Sequence, residues 1–599
     1  MNRFVLAGLF ALAMSSYAYA DEKDTVQSKT VVISAARVSI PLAQIPRTVD
    51  VITQKKLSLM PIRSMSDALM YVPGVDLRQR GPYGIQADVS MRGGSFEQTA
   101  VLVDGMRMND VQTGHHSLNL PIMPEEIERI EVVKGGTTRL YGPGALDGAI
   151  NIITRRGGEP QLKLQFTGGD FGFIDGRAYA TSTTGDVYHR TGVQYMSTPG
   201  YQPGTAATLM SAMYSGNVDV NATTAQWQVG FSDRAFDAYG YYVPSPLFPQ
   251  QWEHTTTWHA SGSTTTLLDT ATTLTVRGLY RVNTDDFRLK KDTPTFYQNI
   301  HTTHTLTGLA LLSHVWEIGT TTIGVEGGHD DILSTALGIH DRLRGGLSLE
   351  HSYAINNDWL FAAGVSNTMY SDRAPGIGWG ADVSYRPTSD GKVFVTVNRS
   401  YRVPTYTELY YPGPTYVGSP TLLPETAITG ELGSEWMVGN VLLRGALYHR
   451  DGQNMIDYAY QGVGLPYKAE NITQVTVNGV EIGGTFFGLH LSAVYNHIAL
   501  TETVNTRYVM DQLKWQGIAD YTIDFPLEIR GSFIIRALQR YNSATLNGIG
   551  DIRLVRVFGD FRIMAEATNL WNTSYIETGW VSMPPRWFRM SIEWNALLR

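Results

Sequence analysis

The sequence predicts an antiparallel transmembrane β-barrel preceded by a compact mixed α/β domain, on three observations. The hydrophobic pattern has a period of two from about Gly157 onward. No apolar run beyond the first twenty residues is long enough for a membrane helix. Residues from about Thr30 to Thr154 are patterned differently from everything after them. A mean hydropathy of -0.14 is no argument against a membrane, because a barrel alternates lipid-facing with lumen-facing residues and so hides its apolar band.

The start of the chain is an export signal. Arg3 precedes an apolar run from Phe4 to Met14, and Ala18-Tyr19-Ala20 follows as an A-x-A cleavage pattern, so residues 1–20 are expected to be removed. The composition of 60 Gly, 32 Tyr, 12 Trp and 0 Cys suits an exported barrel with many turns, interfacial aromatic girdles and no disulfides. A formal net charge of -8 without any Lys/Arg-rich run argues against nucleic acid as a partner. The absence of Cys, of a G-x-S-x-G elbow and of H-E-x-x-H argues against a hydrolase.

In the N-terminal region, Ala100–Val103 and Ile130–Val133 read as strands, and Ser64–Tyr71 as a short helix that Ser64 could cap and that must end before Pro73. Asp104-Gly105 after four apolar residues is a hairpin signal. In the larger region Leu162–Thr167, Val393–Asn398 and Ile563–Ala567 alternate as half-buried strands. Clusters such as Gly168-Gly169-Asp170, Ile355 to Asp358 and Thr388 to Gly391 punctuate them as turns. Its length allows twenty-two strands at roughly 20 residues each, or sixteen with longer loops.

Several short motifs occur in a fixed order. Asp67-Ala68-Leu69, Val72-Pro73-Gly74-Val75, Met91-Arg92-Gly93 and Val101-Leu102-Val103-Asp104-Gly105 come first. Ile127 to Val132 with Lys134-Gly135, Leu140-Tyr141-Gly142 and Gly148 to Thr154 complete the first set. A second set comprises Tyr401 to Thr405, Glu408-Leu409-Tyr410, Leu423-Pro424-Glu425, Asn478 to Glu481, and Asn569-Leu570 with Pro585-Arg586. With these motifs the chain resembles the TonB-dependent receptors of the Gram-negative outer membrane. It departs from them at its end, where Trp594 is followed by Asn595-Ala596-Leu597-Leu598-Arg599 in place of a terminal aromatic residue.

The resemblance implies a periplasmic leader with a TonB box at 21–36, a plug at 37–156, and a 22-stranded monomeric barrel at 157–599 embedded in outer-membrane lipid. It implies active import of a scarce small-molecule nutrient without bond chemistry or a cofactor, energised by TonB and its inner-membrane complex. Thr30, Val31, Val32, Ile33, Ser34 and Ala35 follow a polar leader and form an extended, β-branched hexamer of the kind that adds as a strand to a partner's sheet edge; by resemblance this is the TonB box. Gly93 and Gly105 are expected at turns, Asp104 in the hairpin, and Arg92, Glu128, Arg129 and Glu131 in an ion-pair network between plug and barrel.

By position in the resemblance, the apical plug loops run from Arg80 to Gln86 and from Asp110 to Ser117. Tyr83, Gln86, Gln112, Thr113, His115 and His116 are the candidate ligand contacts. These loops, with Leu337 to His340 and Tyr401 to Pro424, most resemble the cobalamin-receptor branch of Bacteroidetes-type bacteria, which implies a corrinoid cargo and allows a surface lipoprotein as partner. Ferric siderophore is the second cargo and haem the third, since Pro412 to Ser419 holds no His. The adjacent histidines read as hydrogen-bonding residues of an exposed loop and no metal site is expected. The acid pairs Asp285-Asp286 and Asp330-Asp331 read as solvated loop charge. A passive porin or an adhesin is the competing class, and it leaves the plug motifs and the Thr30 to Ala35 segment without a role.

The coupling segment yields a test. Val32→Pro or Ile33→Pro removes a backbone donor and distorts the strand, so transport should be abolished while surface binding persists. Normal uptake by both variants would remove the assignment.

Overall fold

The computed structural model describes residues 32–33, 40–41, 45–243, 248–501 and 506–597. The export signal, most of the leader, and Thr30, Val31, Ser34 and Ala35 lie outside the described residues. Val32–Ile33 pairs antiparallel with Ile40–Pro41.

Among the described residues, twenty-two antiparallel strands close a barrel, running from Gln161–Gly169 to Trp587–Leu597. The first and last strands pair from Gln161↔Leu597 to Gly169↔Arg589, so no edge is left open. A two-residue strand, Tyr416–Val417, adds in parallel to Tyr467–Lys468 on one of the long loops.

The alternation is inverted relative to a soluble protein. On Gly391–Arg402, Val395 and Val397 are 49% and 40% exposed, whereas Thr396 and Asn398 between and after them are buried. On Gly338–Ala354, Leu343 points outward at 57% exposure, and Arg342 and Arg344 on either side are buried. Apolar-out, polar-in is what a lipid-facing wall around a polar lumen requires. The same period corrects the reading of the acid pairs. Asp285 and Asp286 lie within the strand Thr272–Arg288, and Asp330 and Asp331 within Gly319–Ser334. Consecutive strand residues face opposite sides. Asp285 and Asp330 therefore enter the lumen, while Asp286 pairs with Arg288 at 2.6 Å and Asp331 lies 2.8 Å from His304.

Inside stands the plug. Its main sheet runs in the order Val49–Thr53, Ile127–Lys134, Gly148–Thr154, Thr99–Val103, Met106–Arg107, with Thr99–Val103 parallel to Gly148–Thr154 and the other pairs antiparallel. Val75–Gln79 and Ala87–Met91 form a separate antiparallel pair that rises to the apex. Val101, Val103, Ile130, Val132, Ile150 and Ile152 make the centre of the core, onto which Leu57 of the helix Gln54–Leu59 packs. The helical piece expected from Ser64 is a 3₁₀ turn, Ser66–Tyr71, whose Asp67 N–H donates to Ser64 Oγ at 3.3 Å. It ends at Val72, extended as a residue before Pro73 must be.

Asp104 (φ 49°) and Gly105 (φ 79°) turn the tight hairpin between Val103 and Met106. Gly105 is favoured there by its positive φ, and a Cβ would also have to displace the Arg277 guanidinium 2.4 Å away.

Ion pairs hold the plug in the lumen. Arg92 binds Glu431 at 2.8 Å and Glu481 at 3.2 Å, with Tyr448 beneath its guanidinium. Lys134 bridges plug Asp50 at 2.6 Å and barrel Glu481. Arg139 meets Glu350 and Asp382, Arg107 meets Glu326 at 3.0 Å, and barrel Arg540 clasps plug Asp76 at 2.8 Å. Arg129 does not join this network as expected. It pairs with its plug neighbours Glu128 and Glu131, because the strand that carries it places all three within the plug.

Arg92→Ala should leave Glu431 and Glu481 short of a buried partner. The expected cost is about 3–5 kcal/mol of plug-to-barrel anchoring. It should appear as faster hydrogen exchange in the plug and a measurable leak conductance in planar bilayers; a variant as silent and protected as the parent would contradict the anchoring role.

Candidate functional site

The long loops on one end of the barrel converge over the apical plug loops. The short helix Tyr406–Tyr410 begins in a capping box of Thr405 and Glu408, and Glu408 is clamped by Arg402 at 2.8 Å, which also holds Glu425 at 2.7 Å. So fixed, the first turn of this helix points two backbone donors at the plug: Tyr406 N–H reaches the Val111 carbonyl at 3.0 Å and Thr407 N–H the Gln112 carbonyl at 3.1 Å. The motif from Tyr401 to Tyr410 thus seats a loop on the plug apex, a role that sequence reading did not assign.

All six sequence-predicted contacts lie at this apex, and five of them are buried. Gln86 donates to the Tyr242 hydroxyl at 2.8 Å, and that hydroxyl donates to Glu253. Gln112 donates to Asp285 Oδ2 at 3.0 Å. Thr113 Oγ1 and Gly114 N–H both donate to Glu97 Oε1, at 3.3 and 2.8 Å. His115 shares a 2.7 Å hydrogen bond with Asp88 and stacks on Phe96 with ring centroids 4.4 Å apart. His116, 2% exposed, turns Nε2 toward Asp285 at 3.4 Å. The expectation that the two histidines stand on an exposed loop is corrected: His116 is walled in by barrel strands, and His115 by Phe96 and Asp88. Tyr83 also differs from expectation. Its ring is spent on the barrel wall, stacked on Phe173 at 5.1 Å and edge-on to Trp587 at 5.4 Å, at a positive φ of 78° between two turn glycines.

Residues that sequence reading passed over complete the site. Barrel Arg281 pairs with Asp110, which also accepts from Thr303 at 3.2 Å. Barrel Arg234 donates to the Gly84 carbonyl at 3.0 Å and to Asn119 at 2.9 Å. Their signal was the lumen-facing parity of their strands, legible only once each strand's register is known. Above, Arg507 lies over Tyr416 at 4.1 Å and over Tyr508 at 5.2 Å, while Tyr508 sits edge-on to Phe96 of the plug. His340 stacks on Tyr410 at 3.7 Å. Aromatic faces, amides and a guanidinium over a plug suit recognition of a large polar ligand by stacking and hydrogen bonds.

The family follows from this plug-in-barrel plan together with sequence likeness. Residues 41–149 match the TonB-dependent receptor plug domain and residues 148–573 the TonB-dependent receptor-like β-barrel. The chain belongs to the TonB-dependent receptors. These are receptors and transporters, not an enzyme class. This receptor is 26% identical over 547 residues, covering 85% of its own length and 86% of the relative's, to the vitamin B12 transporter BtuB of Vibrio vulnificus strain CMCP6. It is 35% identical to the iron-regulated outer membrane virulence protein of Vibrio cholerae, but over only 158 residues, 25% and 24% of the two chains. Among solved structures, a mutant of the ferric enterobactin receptor PfeA from Pseudomonas aeruginosa matches with a TM-score of 0.76 at 15% identity, covering 92% of this chain and 99% of that one. The siderophore receptor PirA from Acinetobacter baumannii matches with a TM-score of 0.74 at 14% identity, covering 92% and 98%. At such identity the structural likeness speaks to the fold alone.

The apical loop of this receptor is poised by two opposed titrations. Burial pushes His115 down to about 4, against the pull of Asp88. Burial, reinforced by Glu408, pushes Glu97 up to about 8. A depressed His contributes stability that is present above its unfolded value of about 6.5 and lost as pH falls toward 4. A raised Glu contributes stability that is present below its unfolded value of about 4.3 and lost as pH rises toward 8. Between pH 5 and 7, therefore, Glu97 gains on acidification. Glu97→Gln removes that gain, so relative to the parent the loop should lose on the order of 1 kcal/mol of local stability per pH unit on going from pH 7 to 5. Hydrogen exchange of the Asp110 to Leu118 amides at the two pH values reads it; equal pH slopes in parent and variant would contradict it.

Proposed function

We propose that this receptor resides in the outer membrane and actively imports a corrinoid, cobalamin or a close relative, with force transmitted through TonB. The observation that carries the cargo is the likeness to a protein named vitamin B12 transporter over 85% of this chain and 86% of that one. The apical chemistry agrees with it. Tyr416, Tyr508 and Arg507 of the outer loops offer flat faces, which suit a large macrocycle rimmed with amides. No His occurs between Pro412 and Ser419, which weighs against haem.

Active rather than passive transport follows from energetics. Opening the lumen separates several buried plug-to-barrel ion pairs, and a charge left buried without its partner is costly until water reaches it. Concerted separation of all of them favours an external pull. In this reading residues 1–20 direct export, 21–36 form the leader, 37–156 the plug and 157–599 the barrel. Ligand seated on the apex loosens the leader, TonB captures Thr30 to Ala35 by strand addition, and force then remodels the plug. The same reading accommodates a surface lipoprotein that closes over the loops, and it does not depend on the Bacteroidetes-type branch.

A ferric siderophore is the second reading, favoured by the 35% identity to an iron-regulated outer membrane protein over a quarter of the chain. Isothermal titration of the detergent-purified receptor with cyanocobalamin, a ferric siderophore and haem separates the cargoes. Sub-micromolar binding of cyanocobalamin is expected, weakened by about 1–3 kcal/mol when the Gln112 to His116 segment is replaced by Gly and Ser. Tight siderophore binding with no response to cyanocobalamin would overturn the corrinoid assignment and leave the receptor class intact.

A further inference from the structure

Beneath the apex, three potential ligands from three elements meet in the seam between plug and barrel. His116 on the plug loop, Glu253 near the start of the strand Trp252–Leu267 and Asp285 near the end of Thr272–Arg288 bring one donor atom each within 4.8 Å of one another. All are buried: His116 is 2%, Glu253 1% and Asp285 5% exposed. The two strands pair with Thr255 opposite Asp285, so Glu253 and Asp285 are diagonal neighbours on the lumen face.

Two carboxylates side by side in a buried seam repel each other and have lost their water, a combination that calls for a cation or a proton. The nearby arginines have partners of their own, Arg281 in Asp110 and Arg80 in Asp88. Three oxygens remain buried without a hydrogen bond: Glu253 Oε1, Asp285 Oδ1 and the side-chain oxygen of Gln112. Gln112 already touches Asp285 through its amide nitrogen at 3.0 Å, so turning the amide over presents its oxygen to the same point. An imidazole and two carboxylates whose donor atoms lie within 4.8 Å of one another, with a Gln112 oxygen that an amide turn brings to them, form a ligand set.

We propose that His116, Glu253 and Asp285, with the Gln112 side-chain oxygen beside them, bind a divalent transition cation of the zinc type and so pin the plug apex to two adjacent barrel strands. The mixture of one imidazole with few oxygens suits zinc, whereas calcium takes six to eight oxygens and no nitrogen. Zinc-to-ligand distances of about 2.0–2.2 Å put neighbouring donors roughly 3.5 Å apart, so the cluster must close by about an ångström, within the range of side-chain torsions. With the Asn119 amide donating to His116 Nδ1 at 3.2 Å, a neutral ring carries its proton on Nε2, facing Asp285. A ring that starts as imidazolium releases one proton to solvent when the cation binds. A cation at Nε2 takes that place, Nδ1 carries the proton, and the Asn119 amide turns its oxygen to accept it. Arg234 gives up Asn119 in that turn but keeps the Gly84 carbonyl at 3.0 Å. The inference rests on the seam and not on the identity of the cargo.

The test uses the metal alone on tag-free, chelator-treated full-length receptor. Titration with zinc chloride should show one equivalent bound, with calcium and magnesium chlorides far weaker, and Glu253→Gln and Asp285→Asn should each weaken zinc by about tenfold or more. Zinc-edge X-ray absorption of the unsubstituted receptor should show one imidazole among oxygen donors, a readout that needs no variant to fold. Absence of zinc binding, zinc binding unchanged in both variants, a shell without imidazole, or a preference for calcium would each overturn the proposal. Failure of cyanocobalamin to bind would leave it standing.

Discussion

A polar lumen closed off from bulk water obliges every charge within it to find a partner, and the rest of this structure follows from that constraint. The barrel turns its apolar side chains outward, so its inner wall is lined by Arg, Asp, Glu, Thr and Asn, and the plug that fills it must present the complementary set. Arg92 with Glu431 and Glu481, Arg139 with Glu350 and Asp382, and Arg540 with Asp76 are the result. Pairs of this kind contribute little net stability over an apolar contact, yet breaking one strands a buried charge. That asymmetry makes the plug a stopper that fits in one register and does not drift out.

The same asymmetry links structure to transport. Moving the plug as it stands means separating several of these pairs, and each separated charge is unpaired until water reaches it. The apolar core around Val101, Ile130 and Ile150 runs through the plug and takes in Met213, Leu279, Ile518 and Ile534 of the barrel wall. At the apex hydrogen bonds and ring stacking join the ion pairs: Gln86 on Tyr242, Gln112 on Asp285, and His115 on Asp88 and Phe96 stand beside Arg281 with Asp110. The long loops meet the plug here, through Tyr508 on Phe96 and the helix Tyr406–Tyr410 on the backbone of Val111 and Gln112.

The path from loop to plug is short. Tyr508 of a long loop touches Phe96, Phe96 stacks on His115, and His115 is bonded to Asp88 on the strand Ala87–Met91, which pairs with Val75–Gln79. In parallel, the helix Tyr406–Tyr410 donates directly to the backbone of the plug apex. A ligand that shifts either loop therefore acts on plug residues without an intermediary.

The sequence by itself determined the architecture: a period of two with no membrane helix specifies a barrel, and motifs from Asp67 to Thr154 specify a plug, because both depend on local pattern and turn chemistry. The Asp104-Gly105 hairpin, the stop before Pro73 and the glycine at 93 were legible for the same reason. Only the tertiary structure decided which way each strand residue faces. One register step separates Asp286, paired with Arg288, from lumen-facing Asp285, and His115 and His116 look exposed in a polar loop until the wall closes around them. Arg129 likewise could have reached the barrel or stayed in the plug, and strand placement alone settled it. Partners more than a hundred residues apart, such as Gln112 with Asp285 or Arg92 with Glu431, leave no trace in local sequence because barrel closure, a long-range event, creates their meeting.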